Sequence, residues 1–238
     1  MQAMILAAGR GERMRPLTDT CPKPLLPVNG KSLVHYHLEK LVKQGVKRVV
    51  INHAWLGHLI EQQLGDGRQF GLEICYSPEP HGGLETAGGI IRALPLLGDE
   101  PFWVINGDIY TEFDFAKLPR TLAPNHHAHL LLVPNPSHHP HGDFGLKHGI
   151  LQPRQHGIES FTYAGMGLYS PQFFADYHPG SEQFLKLRPL LEQGVAGQCI
   201  AATVFYEYWT DVGTPARLTA LANTLQGQGT TRNTSEPL

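Results

Sequence analysis

Gly9, Gly11, Arg13, Arg15 and Lys23 fall close together near the start of the chain, and their types and order suit the handling of phosphate. Ile5 and Leu6 close a short apolar run, after which Ala7, Ala8, Gly9 and Gly11 remove side-chain bulk where a strand must turn. Such a loop lets an anion reach main-chain N–H groups that no Cβ shields. The two arginines and the lysine add fixed positive charge, a combination that suits a polyphosphate. Two better-known glycine loops are excluded. After Gly9-Arg10-Gly11 come Glu12, Arg13 and Met14, where a dinucleotide fingerprint needs another small residue and an immediate helix. This also disfavours an NAD-dependent oxidoreductase. No complete G-x-x-x-x-G-K-[ST] phosphate loop is present either.

A carboxylate stands farther along. The apolar run Phe102-Trp103-Val104-Ile105 leads directly into Asn106-Gly107-Asp108. In open α/β sheets ligands lie beyond the carboxyl ends of the strands, so Asp108 is expected to face the same crevice as the Gly9 loop. A carboxylate beside phosphates needs a bridging cation. Mg2+, which takes hard oxygen ligands from one or two carboxylates and from phosphate, is the natural one. The plainer alternative is an aspartate that caps the next turn.

The ordered set Leu6-Ala7-Ala8-Gly9-x-Gly11-x-Arg13-Met14, Pro16-Leu17-Thr18 and Pro22-Lys23-Pro24-Leu25 resembles the signature of the sugar-1-phosphate nucleotidylyltransferases. The resemblance implies catalytic roles for Arg13, Lys23 and Asp108. It implies nucleotide contacts from Ala7, Gly9, Gly11, Glu12, Arg13, Lys23, Thr86 and Gly107. It also implies that the segment Trp209-Thr210-Asp211-Val212-Gly213-Thr214-Pro215 returns Asp211 to share Mg2+ with Asp108. From the residues alone, Asp211 could equally cap the helix that Pro215 starts.

Leu84-Glu85-Thr86-Ala87-Gly88-Gly89 opens a further helix. A glycine inside a helix costs about 1 kcal/mol relative to alanine, so close approach of a base or ribose is expected to offset it. Relatives often carry Gly-Thr-Ala-Gly there, and Glu85 replaces the first of those glycines. Gly145 (in Asp143-Phe144-Gly145), Glu159 and Gly165 resemble the family's acceptor-binding elements; a turn glycine and a surface glutamate are the plainer reading. The Ala8-Gly9 form of the loop is similar to uridylyl-transferring members, which implies UTP as donor. A short stand-alone domain with G-E-R-M-R-P-L-T and L-E-T-A-G-G is most similar to members acting on N-acetylmuramic acid 1-phosphate in cell-wall recycling. A mannose- or glucose-1-phosphate enzyme is the alternative. A non-catalytic nucleotide-sugar sensor is disfavoured, because Arg13, Lys23, Asp108 and Asp211 are all present. In the implied reaction the nucleophile is an anionic phosphate oxygen, so positioning and charge neutralisation suffice without a general base.

Alternating elements must hold these residues. Periodicity predicts helices over 33–42, 56–64 and 86–94 between apolar strands at 48–51, 72–76 and 102–105. That order implies an α/β fold, Rossmann-like, with a mixed, mostly parallel central sheet flanked by helices. Strands at 130–133, 150–151, 161–163, 167–169 and 200–206, and helices at 184–191 and 214–225, are expected in a second half that closes over the substrate. One domain over 1–225 is expected, with a nucleotide-binding half (1–113), a sugar-binding half (114–225) and a flexible tail (226–238). The run His138-His139-Pro140-His141 lacks metal-ligand spacing on a regular element and reads as a solvated loop.

At 238 residues and a net charge of −2, the chain has no general basic field to recruit nucleic acid or an anionic membrane. Its three cysteines, Cys21, Cys75 and Cys199, are odd in number and far apart, which argues against a disulfide framework. With no long apolar run, a soluble cytoplasmic protein is expected, a monomer or small homo-oligomer whose partners are UTP (or another NTP) and a sugar 1-phosphate.

Overall fold

The computed structural model describes residues 1–232. Strand β1 (Ala3–Leu6) leads into the glycine loop, and a hairpin of β2 (Pro27–Val28) and β3 (Lys31–Ser32) precedes α1 (Leu33–Lys43). Next come β4 (Arg48–His53), α2 (Gly57–Leu64), β5 (Glu73–Pro78), α3 (Glu85–Leu97) and β6 (Phe102–Asn106). The second half adds β7 (Ile109–Thr111), β8 (Ala128–Val133), β9 (Phe144–Lys147), β10 (Ile150–Gln152), β11 (Ser160–Tyr169) and α4 (Leu187–Ala196). It ends with β12 (Ile200–Val204), β13 (Trp209–Asp211) and α5 (Pro215–Arg232).

Nine strands form one mixed sheet in the order β5-β4-β1-β6-β11-β8-β12-β10-β9. The strands β5, β4, β1 and β6 are mutually parallel, as the alternation of strand and helix requires. Beyond them β11 enters antiparallel to both β6 and β8, and only the β8–β12 pair is again parallel. Successive residues of the central strands point to opposite faces. On one face Ile5, Ile51 and Ile105 pack with Leu38 of α1 and Ile60 of α2. On the other, Met4, Val50 and Val104 pack with Ile90 of α3 and Leu191 of α4. A third cluster joins Met14, Leu26 and Val28 near the glycine loop to Tyr110, Val212, Leu221 and Leu225. It fastens the loop to the β7–β13 ribbon and to α5.

Several expectations change in detail. The segments 161–163 and 167–169 belong to one strand, β11, whose register shifts between Tyr163 and Gly167; Gly165 takes φ 72° within that irregularity. Strands β7, β9 and β13 are three or four residues long, too short for an alternating pattern to stand out. Helix α4 starts at Leu187 because the preceding strap binds α3: Gly88 N–H donates to Leu185 C=O at 3.1 Å, and Leu185 N–H to Leu84 C=O at 2.9 Å. Gly30-Lys31-Ser32, which spells the end of a phosphate-loop motif, lies in the β2–β3 hairpin, and Lys31 Nζ pairs with Glu39 at 2.7 Å. Helix α5 extends to Arg232, so the segment read as a tail begins within it; residues 233–238 lie outside those described.

His37 of α1 is buried, and its Nε2–H donates to Ile109 C=O at 3.0 Å, pinning the helix beside Asp108. Burial, the main cause, lowers its pKa from the usual 6.5 to about 4. The imidazole is neutral in the folded protein, whereas the unfolded chain takes up a proton below about pH 6.5. Its contribution is therefore complete above that pH and lost as pH falls toward 4, by up to about 3 kcal/mol. Urea unfolding at pH 7 and pH 4.5 is expected to show a smaller pH-dependent loss in His37→Gln, which keeps a donor for the carbonyl. An equal loss in both proteins would show that His37 is not its source.

Candidate active site

The site begins where β1 and β6 end side by side, with Leu6 in register with Asn106. Gly107 N–H donates to Leu6 C=O at 2.9 Å, and a Cβ at Gly107 would stand 2.6 Å from that oxygen. Only glycine permits this approach, so the glycine loop and Asp108 leave the sheet as neighbours. At Gly11 the backbone turns with φ 69°, and Thr18 Oγ1 donates to Gly11 C=O at 2.7 Å. The 3-10 turn that follows buries Met14 and leaves Glu12 and Arg13 exposed. A Cβ at Gly9 would meet nothing within 4 Å, so its smallness leaves room for a ligand and relieves no internal clash.

Lys23, whose side chain is 11% exposed, donates from Nζ to Asp108 Oδ2 at 2.5 Å. Arg10 lies with its guanidinium carbon 3.7 Å from the Trp55 ring centroid and donates to Thr18 C=O. Arg15, expected to add charge to the loop, instead pairs with Asp19 at 2.8 Å on the outer surface.

A polar chain, buried at Asn52 and half-buried at Glu79, secures the loop from behind. Ala7 N–H donates to Asn52 Oδ1 at 2.9 Å, Asn52 Nδ2 donates to Glu79 Oε1 at 2.6 Å, and Leu84 N–H donates to Glu79 Oε2 at 2.7 Å. Burial raises the Glu79 pKa, opposed by these hydrogen bonds. The α3 glycines serve this arrangement: a Cβ at Gly89 would stand 2.4 Å from Glu79 Oε1, and one at Gly88 2.0 Å from Gln183 C=O. Their smallness thus makes room for protein groups, where a base or ribose was expected. Glu85 takes φ 62°, a left-handed conformation that favours glycine.

Two cavities open above these elements. The larger, about 600 Å³, is lined by the glycine loop, Lys23, Glu79, Thr86 and Phe184. The smaller, about 360 Å³, is lined by His138, Tyr163, Gly165, Trp209, Asp211 and Arg217. Arg13, Asn106 and Asp108 line both. Asp211 arrives on the β7–β13 ribbon, where Val212 N–H donates to Asp108 C=O at 2.7 Å. The ribbon is fixed by Trp209, whose Nε1–H donates to Ala164 C=O at 2.9 Å. Thr214 Oγ1 accepts from Arg217 N–H at 3.3 Å, so Thr214 caps α5 and Asp211 is left for the cavity.

A family model described as Nucleotidyl transferase matches residues 2–228. The chain belongs to the nucleotidyl transferase family. Over 222 residues it is 51% identical to the N-acetylmuramate alpha-1-phosphate uridylyltransferase of Neisseria meningitidis, covering 92% of this chain and 95% of that protein. It is 34% identical to a protein of the same name from Caulobacter vibrioides, covering 92% and 95% of the two chains. Among solved structures, the inositol-1-phosphate CTP transferase from T. maritima shares the fold, with a TM-score of 0.76 at 21% identity over 93% and 94% of the two chains.

Within this nucleotidyl transferase, Ala7, Gly9, Gly11, Glu12, Arg13, Lys23 and Thr86 line the larger cavity, and Gly107 supports its floor. Gly165 lines the smaller one. Gly145 and Glu159 line neither: Gly145 is buried in β9, where a Cβ would stand 2.7 Å from Ile158 Cγ2, and Glu159 is exposed. The His138-His139 run is no detached solvated loop, because His138 Nε2 lies 2.9 Å from Asp211 Oδ1 and His139 Nε2 3.3 Å from Asp143 Oδ1. Asn52, Asn106, Glu79, His138 and Arg217 escaped the sequence reading. For the two asparagines a signal existed, a polar residue at the carboxyl end of an apolar parallel strand.

Asp108 and Asp211 offer the hard oxygen donors that suit Mg2+. Among the described residues no group of three or more His, Cys, Asp or Glu is arranged to hold a metal. An ion between these two carboxylates would therefore complete its shell with phosphate and water, as Mg2+ commonly does. In Asn52→Leu both Ala7 N–H and Glu79 lose a buried partner, which is expected to cost about 1–3 kcal/mol in urea unfolding. A change indistinguishable from zero would show that the buried chain does not brace the loop.

Proposed function

We propose that the protein transfers UMP from UTP to a sugar 1-phosphate, N-acetylmuramic acid 1-phosphate by preference, and releases pyrophosphate. The observation that carries this reading is the meeting of two cavities at Arg13, Asn106 and Asp108. A triphosphate in the larger cavity and a sugar phosphate in the smaller one would present their reacting phosphorus and oxygen at that junction. The relatives of this name in Neisseria and Caulobacter, at 51% and 34% identity, support UTP and the amino-sugar acceptor. The split is consistent with a donor half (1–113) and an acceptor half (114–225), since Tyr163, Gly165, Trp209 and Asp211 all come from the second.

In this reading the main-chain N–H groups of the glycine loop receive the β- and γ-phosphates. Arg13, at the junction of both cavities, neutralises charge that builds on the transferring phosphorus, and Lys23 does so from the floor. Asp108 and Asp211 would hold Mg2+, which supplies charge neutralisation and orientation of phosphate oxygens when bound. The acceptor oxygen is already an anion, so alignment replaces proton abstraction. Cys21, Cys75 and Cys199 are unpaired thiols, as a reducing compartment keeps them, and no helix among the described residues is long and apolar enough to cross a membrane; we place the reaction in the cytoplasm.

Pyrophosphate release, measured over a panel of NTPs and sugar 1-phosphates, is expected to be fastest with UTP and N-acetylmuramic acid 1-phosphate and to vanish with a chelator. No release with any pair would sink the reading. Asp108→Asn is expected to keep the circular dichroism of the wild type and to lower turnover by roughly 100-fold or more, the scale set by loss of a preorganised charge contact. A near-normal rate in that variant would remove Asp108 from the mechanism.

A further inference from the structure

Asp211 is held by two basic side chains from separate parts of the chain. Arg217, in the first turn of α5, donates from Nη1 to Asp211 Oδ1 at 2.9 Å. His138, from the histidine-rich loop, places Nε2 2.9 Å from the same oxygen. One carboxylate oxygen thus serves an arginine and a histidine, and the arginine remains under-satisfied, because its Nε is buried and makes no hydrogen bond among the described residues. A buried donor without a partner is costly and calls for an explanation.

The surrounding backbone is shaped around this guanidinium. A Cβ at Gly213 would stand 2.2 Å from Arg217 Nη2, so the glycine of the Asp211-Val212-Gly213-Thr214 segment makes room for it. Thr214 caps the helix on the Arg217 N–H, which fixes the turn that carries the side chain. With 18% of its side chain exposed, Arg217 is mounted in the wall of the 360 Å³ cavity, and His138, at 42%, sits nearer solvent.

We propose that Arg217, assisted by His138, receives the phosphate dianion of the acceptor, and that Asp211 occupies Arg217 only until a divalent cation takes up that carboxylate. The proposal rests on the transferase reading above. Once a cation draws on Asp211, Arg217 and His138 lose their anion while still facing the smaller cavity beside Arg13 and Asp108. A phosphate monoester is the substrate group whose charge matches them, and the planar guanidinium fork suits it better than a point charge does. On the donor side Lys23 stands in the same relation to Asp108. Because each ligand removes a competitor of the other, cation and acceptor should bind with positive coupling.

The test is calorimetric titration of N-acetylmuramic acid 1-phosphate into the full protein with Mg2+ and α,β-methylene-UTP, a donor whose α-phosphorus cannot lose its leaving group. Arg217→Gln is expected to weaken acceptor binding on the order of tenfold or more, the scale for losing a charge-assisted contact, and His138→Gln about threefold. Binding of the UTP analogue should change less than about twofold in both. Arg217→Lys, which keeps the charge but not the fork, should fall between wild type and Arg217→Gln; it carries the test with His138→Gln should Arg217→Gln fail to fold. Unchanged acceptor affinity in the Arg217 variants, or equal weakening of acceptor and analogue, would overturn the proposal. A wild type that binds the analogue but no sugar 1-phosphate would sink the transferase reading along with it, whereas wild-type binding with unaffected variants sinks this proposal alone.

Discussion

The hydrogen bond from Gly107 N–H to Leu6 C=O is the contact on which the rest of the structure depends. It forms because β1 and β6 are parallel neighbours and because position 107 has no Cβ. Through it the glycine loop and the first acidic side chain leave the sheet at one place, with Lys23 already paired to Asp108. The ribbon of β7 and β13 then extends that turn and delivers the second acidic side chain, Asp211, by ordinary ladder bonding. A late segment therefore reaches an early one without any long loop having to find its own conformation.

Charge is arranged with the same economy. Arg10 lies against Trp55, Arg15 pairs with Asp19, Lys23 with Asp108, and Arg217 with Asp211. Arg13 takes part in no such pair among the described ion pairs and stands where the two cavities join. In the reaction proposed above, where acid and base already neutralise one another, substrates and cation would exchange partners and not enter a bare field, which would limit the reorganisation that a dense cluster of charge otherwise demands.

Much of this was legible in the sequence, for physical reasons that also explain what was not. Strands β1, β4 and β6 are buried on both faces, so they read as unbroken apolar runs, and the loop after β1 carried its glycines and cations in one stretch. The parallel half of the sheet followed from alternation alone. The antiparallel half was read only in pieces: β11 looked like two strands because glycines interrupt its pattern at the register shift. Local pattern could not reveal the pairing of Asp211 with His138, since His138 lies in the loop between β8 and β9, far from Asp211 in sequence. Gly145 lines neither cavity, and a glycine that avoids Ile158 and one that meets a ligand look alike as a letter.

The third apolar cluster has a consequence for biogenesis. Met14, Leu26 and Val28 find their partners in Val212, Leu221 and Leu225, nearly the whole described chain away. Contacts so distant in sequence close slowly, because the ordering of the intervening chain must precede them. On a ribosome the parallel strands can assemble while the ribbon and α5 are still being made, yet the glycine loop lacks its backing until they emerge. A nascent chain halted before Trp209 would hold the glycine loop and Asp108 with neither the second carboxylate nor the apolar clasp, so the two cavities gain their full lining only once α5 has been made.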